Sequence, residues 1–277
     1  MNSRILVSVL MTSFNREKYI AEAIESVLAS TYKDFELIIV DDCSKDNTVG
    51  IAKKYEELDS RVKVYINEVN LGDYPNRNKA ASYAIGKYLK YLDSDDTMSP
   101  KCLEVMVSGM EENPDCAFGV ISTSLLNSKL HWPNESYKVH FFQRGILDIS
   151  PSGSIIRNDI FKIENGFWET RCVSDFEFWL RLALKYPMLE LERGLIYWRQ
   201  HEGQEIHMGH EEYLKHNLTI LSQKIKLSKL SNTEQELILK KYKRSTMRFL
   251  VKSIFKLGIK KALSFKRMNN LKLIDAF

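Results

Sequence analysis

The chain has 277 residues, of which 44% are hydrophobic and 27% charged, with a net charge of +4. That length buries a substantial core, as one large domain or one domain with an appendage, in an ordinary globular composition. The four cysteines, Cys43, Cys102, Cys116 and Cys172, form no Cys-x-x-Cys pair, which argues against a zinc site or disulfide framework and fits a reducing compartment. No uninterrupted apolar stretch reaches the length of a membrane span, so no transmembrane helix is expected, and the first residues carry no secretory-signal pattern. The charge is unevenly placed. From Lys240 to Phe277 there are 12 Lys/Arg and one acid, Asp275, a local +11 that leaves −7 for the remainder.

In chain order, Ile5 to Met11 is a compact apolar run ending in Thr12-Ser13-Phe14-Asn15, a buried strand followed by a polar loop. Tyr19 to Leu28 has apolar residues at helical spacing. Phe35 to Val40 is a second strand ending in Asp41-Asp42-Cys43-Ser44, and Thr48 to Leu58 a helix capped by Asp46 or Asn47. Val62 to Ile66 is a third strand and Asn70-Leu71-Gly72 a turn. Pro75 to Gly86 is a helix feeding the strand Tyr88 to Leu92, which ends in Asp93-Ser94-Asp95-Asp96. Strand and helix alternating in this way predict an α/β, doubly wound, mostly parallel sheet with helices on both faces. Ligands of such sheets bind beyond the carboxyl ends of the strands, where all three polar clusters fall.

Lys101 to Asn113 reads as a helix and Ala117 to Ser122 as a strand. Residues 123–150, with His131, Trp132 and His140, read as an irregular segment over the cleft. A short strand at Gly153–Arg157 precedes a helix near Ile160. Asp175 to Tyr186 is an amphipathic helix, Leu195 to Arg199 a late strand, and the chain from Glu211 onward is helical.

Three carboxylates at the end of a buried strand are costly unless solvated, hydrogen-bonded or neutralised by a cation. Asp93 and Asp95, one residue apart, suit a hard divalent ion with oxygen ligands that leaves positions open for phosphates. A solvated turn capping the next helix is the plainer alternative.

Taken together, these residues resemble a family 2 glycosyltransferase of the GT-A fold over roughly residues 5–205. The resemblance rests on Thr12-Ser13-Phe14-Asn15, Val40 to Thr48, Asn70-Leu71-Gly72, Arg77-Asn78-Lys79-Ala80 and Leu92 to Asp96. It continues through Gly166-Phe167, Ser174 to Arg181 and Tyr197-Trp198-Arg199-Gln200-His201. It implies a GT-A catalytic domain over residues 1–205 and a helical, basic extension over 206–277. It implies transfer of a sugar from a nucleotide diphosphate sugar, most often a UDP-sugar, to an acceptor hydroxyl, with inversion and a divalent metal, Mn²⁺ or Mg²⁺. The residues implied at the nucleotide sugar are Thr12, Ser13, Asn15, Asp41, Asp42, Arg77, Asp93, Ser94 and Arg199. Asp95 and His201 are implied at the metal, and Asp175 as the catalytic base. The family often has Glu-Asp where this chain has Ser174-Asp175, which puts the accessory Glu in doubt and leaves the base in place. As an alternative, Asp175 is an ordinary helix cap, with Glu177 and Arg181 paired one turn on. The remaining histidines, His131, His140, His207, His210 and His216, have no such context and read as structural.

From Thr246 to Phe265 a cationic stripe, Arg248, Lys252, Lys256 and Lys260, opposes apolar residues on one helix. Its apolar side either docks on the catalytic domain or lies on an anionic membrane surface. The second reading fits a saccharide or lipid-linked saccharide acceptor at the cytoplasmic face of the inner membrane, and nothing points to nucleic acid. Two rivals remain, a nucleotidyltransferase and a non-catalytic relative. The first is expected to carry a Gly- and Lys/Arg-rich loop after the first strand, which Thr12-Ser13-Phe14-Asn15 is not.

Overall fold

A computed structural model describes residues 6–170, 173–201 and 210–257. The elements are β1 (Val7–Ser13), α1 (Ile20–Leu28), β2 (Phe35–Asp41), α2 (Thr48–Leu58), β3 (Val62–Ile66), α3 (Asp73–Ser82), β4 (Tyr88–Tyr91) and β5 (Thr97–Met98). They continue with α4 (Cys102–Glu112), β6 (Phe118–Ile121), β7 (Lys129–His131), α5 (Pro133–Phe142), β8 (Ser154–Arg157), α6 (Asn158–Ile163) and α7 (Ser174–Lys185). Last come β9 (Met188–Leu191), β10 (Ile196–Tyr197), α8 (His210–Lys226) and α9 (Asn232–Leu257).

Eight strands form one sheet in the order β3-β2-β1-β4-β8-β6-β9-β7, and β5 and β10 pair separately. The half holding β3, β2, β1 and β4 is parallel, as the strand–helix alternation predicts. The other half is mixed: β8 runs antiparallel to both β4 and β6, and β7 antiparallel to β9.

Alternate side chains of the central strands point to opposite faces. Val7, Val9 and Met11 join the core beneath α1, α2 and α4. Leu10, Ile38 and Val40 join the other core, with α3 and α5 through α9. There Phe161, Phe167, Phe178 and Trp179 interlock, with the Phe167 and Phe178 centroids 4.8 Å apart. Ile220, Leu221 and Ile225 of α8 and Ile238 of α9 are buried in this same cluster. The described part of the basic extension therefore docks its apolar side on the sheet-bearing core. Of the expected cationic stripe only the Arg248 side chain is described; those of Lys252 and Lys256, and Lys260 altogether, lie outside the described residues.

Two glycines are fixed by close approach. A Cβ on Gly86 meets the Ser8 backbone nitrogen at 2.6 Å. Gly166 has φ +62°, and a Cβ there meets Asn78 Oδ1 at 2.6 Å.

Residues 123–150 depart from the sequence reading. They contain β7 and α5, and Tyr137, Val139, Phe141 and Leu147 are core residues, so the segment packs and is not an irregular cover. The misreading has a physical cause. The α5 sequence mixes polar and apolar residues with little helical periodicity, and only its packing against α7, where the Tyr137 hydroxyl donates to Leu180 O at 2.9 Å, selects the helix.

Candidate active site

Register sets where the polar clusters lie. Ser13 pairs with Asp41 across β1 and β2, and Leu10 with Tyr91 across β1 and β4, so Thr12-Ser13, Asp41-Asp42 and Asp93 to Asp96 share one sheet edge. This is the edge expected for a ligand.

Asp41 and Asp42 are buried and fully engaged. Asp41 accepts from the Ser13 hydroxyl (3.0 Å), the Ser44 hydroxyl (2.6 Å) and the Ser44 amide (2.8 Å). Asp42 accepts from Asn67 Nδ2 (2.8 Å) and the amides of Leu71 (2.8 Å) and Gly72 (2.9 Å), which pins the Asn70-Leu71-Gly72 turn beside the strand end. Asn15, in the left-handed region at φ 54°, accepts on its side-chain oxygen from the Lys45 amide, and its own amide donates to the Ser44 hydroxyl. These bonds close the loops after β1 and β2 onto each other. Thr12 ends the same strand half-buried, next to exposed Phe14. Of the two caps considered for α2, the Asp46 carboxylate accepts from the Thr48 amide, and Asn47 occupies the cap position without a side-chain bond.

The acidic loop is held from three sides. Arg77 of α3 is buried, and its guanidinium reaches Asp93 Oδ1 (2.6 Å) and Asp73 Oδ1 (2.7 Å). Burial alone raises the Asp93 pKa, but Arg77 and a hydrogen bond with Ser152 outweigh it and hold the group below its ordinary value. The Asp93 amide donates to the Ser152 hydroxyl at 2.9 Å. Beneath the loop, the fully buried Lys90 donates to the carbonyls of Tyr91 and Ser152, joining β4 to the turn Pro151–Gly153. Ser94 and Asp96 are buried as well. Burial, then the neighbouring Asp93, push the Asp96 carboxyl up to about 7.

The short ladder of β5 and β10 carries the late residues under this loop. The Arg199 amide donates to Asp96 Oδ1 (3.0 Å), and its side chain donates to Asp95 O (3.0 Å) and Glu22 Oε2 (2.5 Å). His201 Nε2 lies 2.9 Å from Asp95 Oδ2 with its ring stacked on Tyr19, centroids 4.6 Å apart. The two residues implied at a metal are therefore neighbours, although 106 positions separate them in sequence. Arg16 Nε also reaches Asp95 Oδ2, at 2.9 Å. One carboxylate oxygen thus faces both an imidazole and a guanidinium.

Asp175 opens α7. Burial raises its carboxyl, the Phe176 amide and the Tyr74 hydroxyl oppose that by donating to it, and the result is a pKa pushed up to about 6. Asp73 raises it further and Arg77 lowers it, and Arg77 is also the residue that holds Asp93, so α3 links the helix-borne carboxyl to the acidic loop. The neighbouring Glu177 is fully buried and bonded to Arg181 (2.9 Å) and to Lys224 of α8 (2.6 Å). The pairing of Glu177 with Arg181 read from the sequence is present. It stands beside Asp175 without engaging it.

Arg16, Tyr19, Lys90 and Ser152 escape a sequence reading, since none belongs to a motif and each reaches the site by long-range packing. Buried Lys90 inside an apolar strand was the one available signal. His131 is buried against Glu190 (2.8 Å), and His140 is pushed down to about 3 by burial and accepts from the Leu147 amide. Both serve the fold. His207, Cys172 and the side chain of His210 lie outside the described residues.

An open sheet with polar residues at the carboxyl end of β1 and acids at those of β2 and β4 has the architecture of the GT-A transferases. A solved structure of TarS from S. aureus in complex with UDP-GlcNAc superposes with a TM-score of 0.77, covering 95% of this chain and 79% of that one at 21% identity. Residues 8–164 match the family model described as glycosyl transferase family 2, and the chain belongs to that family. TuaG of Bacillus subtilis (strain 168), named as a teichuronic acid biosynthesis glycosyltransferase, is 42% identical over 125 residues, 45% of this chain and 49% of that protein. The Escherichia coli protein named UDP-Glc:alpha-D-GlcNAc-diphosphoundecaprenol beta-1,3-glucosyltransferase WfgD is 44% identical over 108 residues, 39% of this chain and 42% of that one. The matched region spans about half the length of these curated relatives.

Proposed function

We propose that this transferase moves a sugar from a nucleotide diphosphate sugar, UDP being the nucleotide, to an acceptor hydroxyl in a single displacement with inversion. The observation that carries the reading is Asp175, a carboxyl at a helix start with its pKa pushed up to about 6 and joined through α3 to the acidic strand-end loop. A base works best when its pKa lies near the working pH, and burial brings Asp175 toward it. Asp175 takes the proton from the acceptor hydroxyl as that oxygen attacks the anomeric carbon, and the bond to the diphosphate breaks on the opposite face. The nucleoside lies against the loops after β1 and β2, where Thr12, Ser13, Asn15, Asp41 and Asp42 set the backbone surface. Arg199 grips diphosphate oxygens, and Arg77 fixes Asp93 beside the ribose and Ser94.

Asp95 and His201 fit a divalent cation, Mn²⁺ or Mg²⁺. They bring a carboxylate and an imidazole to one point at the edge of the acidic loop. When bound, such an ion offsets charge on the leaving diphosphate.

The acceptor is a saccharide or lipid-linked saccharide in cell-surface polysaccharide or glycolipid synthesis, and the enzyme works at the cytoplasmic face of the membrane. The names of TuaG and WfgD and the UDP-GlcNAc bound by TarS support this reading. A thermal-shift panel of nucleotide sugars with Mn²⁺ tests it, followed by sugar-nucleotide hydrolysis by wild type, Asp175→Asn and Asp95→Ala. Stabilisation by a UDP-sugar, with turnover lost in both variants, is expected. Equal background rates in all three proteins with acceptor present would end the enzymatic reading.

A further inference from the structure

A second charged surface lies on the extension. Between the C-terminal end of α5 and the middle of α9 runs an open groove of about 810 Å³. Four of its lining residues are basic, namely Lys240, Lys241, Arg244 and Arg248. Its apolar lining includes Phe142 and Leu237, which stay 42% and 56% exposed although their neighbour Ile238 is buried. Among the described residues Arg244 Nε is buried without a hydrogen-bond partner, on a side chain that lines the groove. Lys241 Nζ makes a long bond to Phe141 O (3.4 Å) and feels Asp148.

We infer that this groove binds the phosphate head group of an anionic phospholipid at a bilayer surface. A phosphate satisfies the clustered cations by charge-assisted hydrogen bonds, bidentate at the guanidinium groups. A small soluble anion leaves Phe142 and Leu237 in water, whereas a lipid surface removes both from it and accepts the flanking cations at the same time. No helix among the described residues is long and apolar enough to cross a membrane. The inference deepens the membrane placement proposed above and rests on it, but it uses none of the donor-site residues, so its failure leaves the sugar-transfer chemistry standing.

Full-length protein is sedimented with phosphatidylcholine vesicles with or without phosphatidylglycerol. Wild type is expected to bind only the anionic vesicles. The exposed pair Lys240→Glu/Lys241→Glu is expected to weaken binding by at least about tenfold, since each basic residue near such a surface contributes on the order of a factor of five. The separate pair Phe142→Ser/Leu237→Ser is expected to weaken it too. Melting curves and UDP-sugar-induced stabilisation establish that each variant is folded. Three results would overturn the inference: vesicle binding unchanged in both variants, complete competition by glycerol phosphate, or capture of duplex DNA in place of vesicles with the same sensitivity to the lysine pair.

Discussion

Replacing Asp175 by Asn separates the stability of this fold from its chemistry. In the folded protein the Asp175 carboxyl is raised from 3.8 to about 6, chiefly by burial. Each pKa unit corresponds to about 1.4 kcal/mol, so holding this group ionised above its folded pKa destabilises the fold by up to about 3 kcal/mol. Because the folded state binds the proton more tightly than the unfolded chain, stability is fullest below pH 3.8 and is lost as pH rises through about 6. Asn keeps an oxygen for the Phe176 amide and the Tyr74 hydroxyl without the charge. Asp175→Asn is therefore expected to gain about 1–3 kcal/mol at pH 7.5, a rise in Tm of a few degrees. The gain should shrink toward zero at pH 4, while turnover falls by about 10²- to 10⁴-fold. Paired thermal melts at the two pH values and initial rates at pH 7.5 measure both effects. A variant less stable than wild type at pH 7.5, or a gain independent of pH, would refute the reasoning about the buried charge. Retained turnover would remove Asp175 as base.

Tyr74→Phe deletes a donor that lowers the Asp175 pKa, so the acid limb of the kcat/KM profile should move to higher pH, and an unmoved limb argues against Asp175 as the titrating group. Arg16→Gln removes a cation from Asp95 Oδ2, and Mn²⁺ binding measured by electron paramagnetic resonance without donor should tighten roughly tenfold, with unchanged or weaker binding counting against competition there. In the same titration Asp95→Asn should show no site-bound Mn²⁺. Asp42→Ala strands the Leu71 and Gly72 amides and Asn67, and urea unfolding should register a loss on the order of 3 kcal/mol. Gly86→Ala drives a methyl into the Ser8 backbone and should lose about 1–3 kcal/mol in the same assay, a neutral result meaning that the chain relaxes there.

The amino-acid sequence by itself determined the parallel half of the sheet, because β1, β2 and β4 are apolar runs whose patterning needs no distant partner. It placed Asp41-Asp42 and Asp93 to Asp96 at strand ends and Asp175 at a helix start, since those positions follow from local periodicity and turn chemistry. Tertiary structure decided the rest. The antiparallel setting of β8, the helix in residues 133–142 and the docking of α8 and α9 arise from packing between segments far apart in the chain. Asn78 holds Phe167 by two backbone bonds 89 residues away, which explains why two separate sequence signposts belong to one contact. Arg16 meets Asp95 across 79 residues, and the β5–β10 ladder delivers Arg199 and His201 to the same loop. The site's components are therefore local, and its electrostatics are not. Which carboxylate is paired, which is left raised and which faces a guanidinium depend on distances that only the folded chain sets.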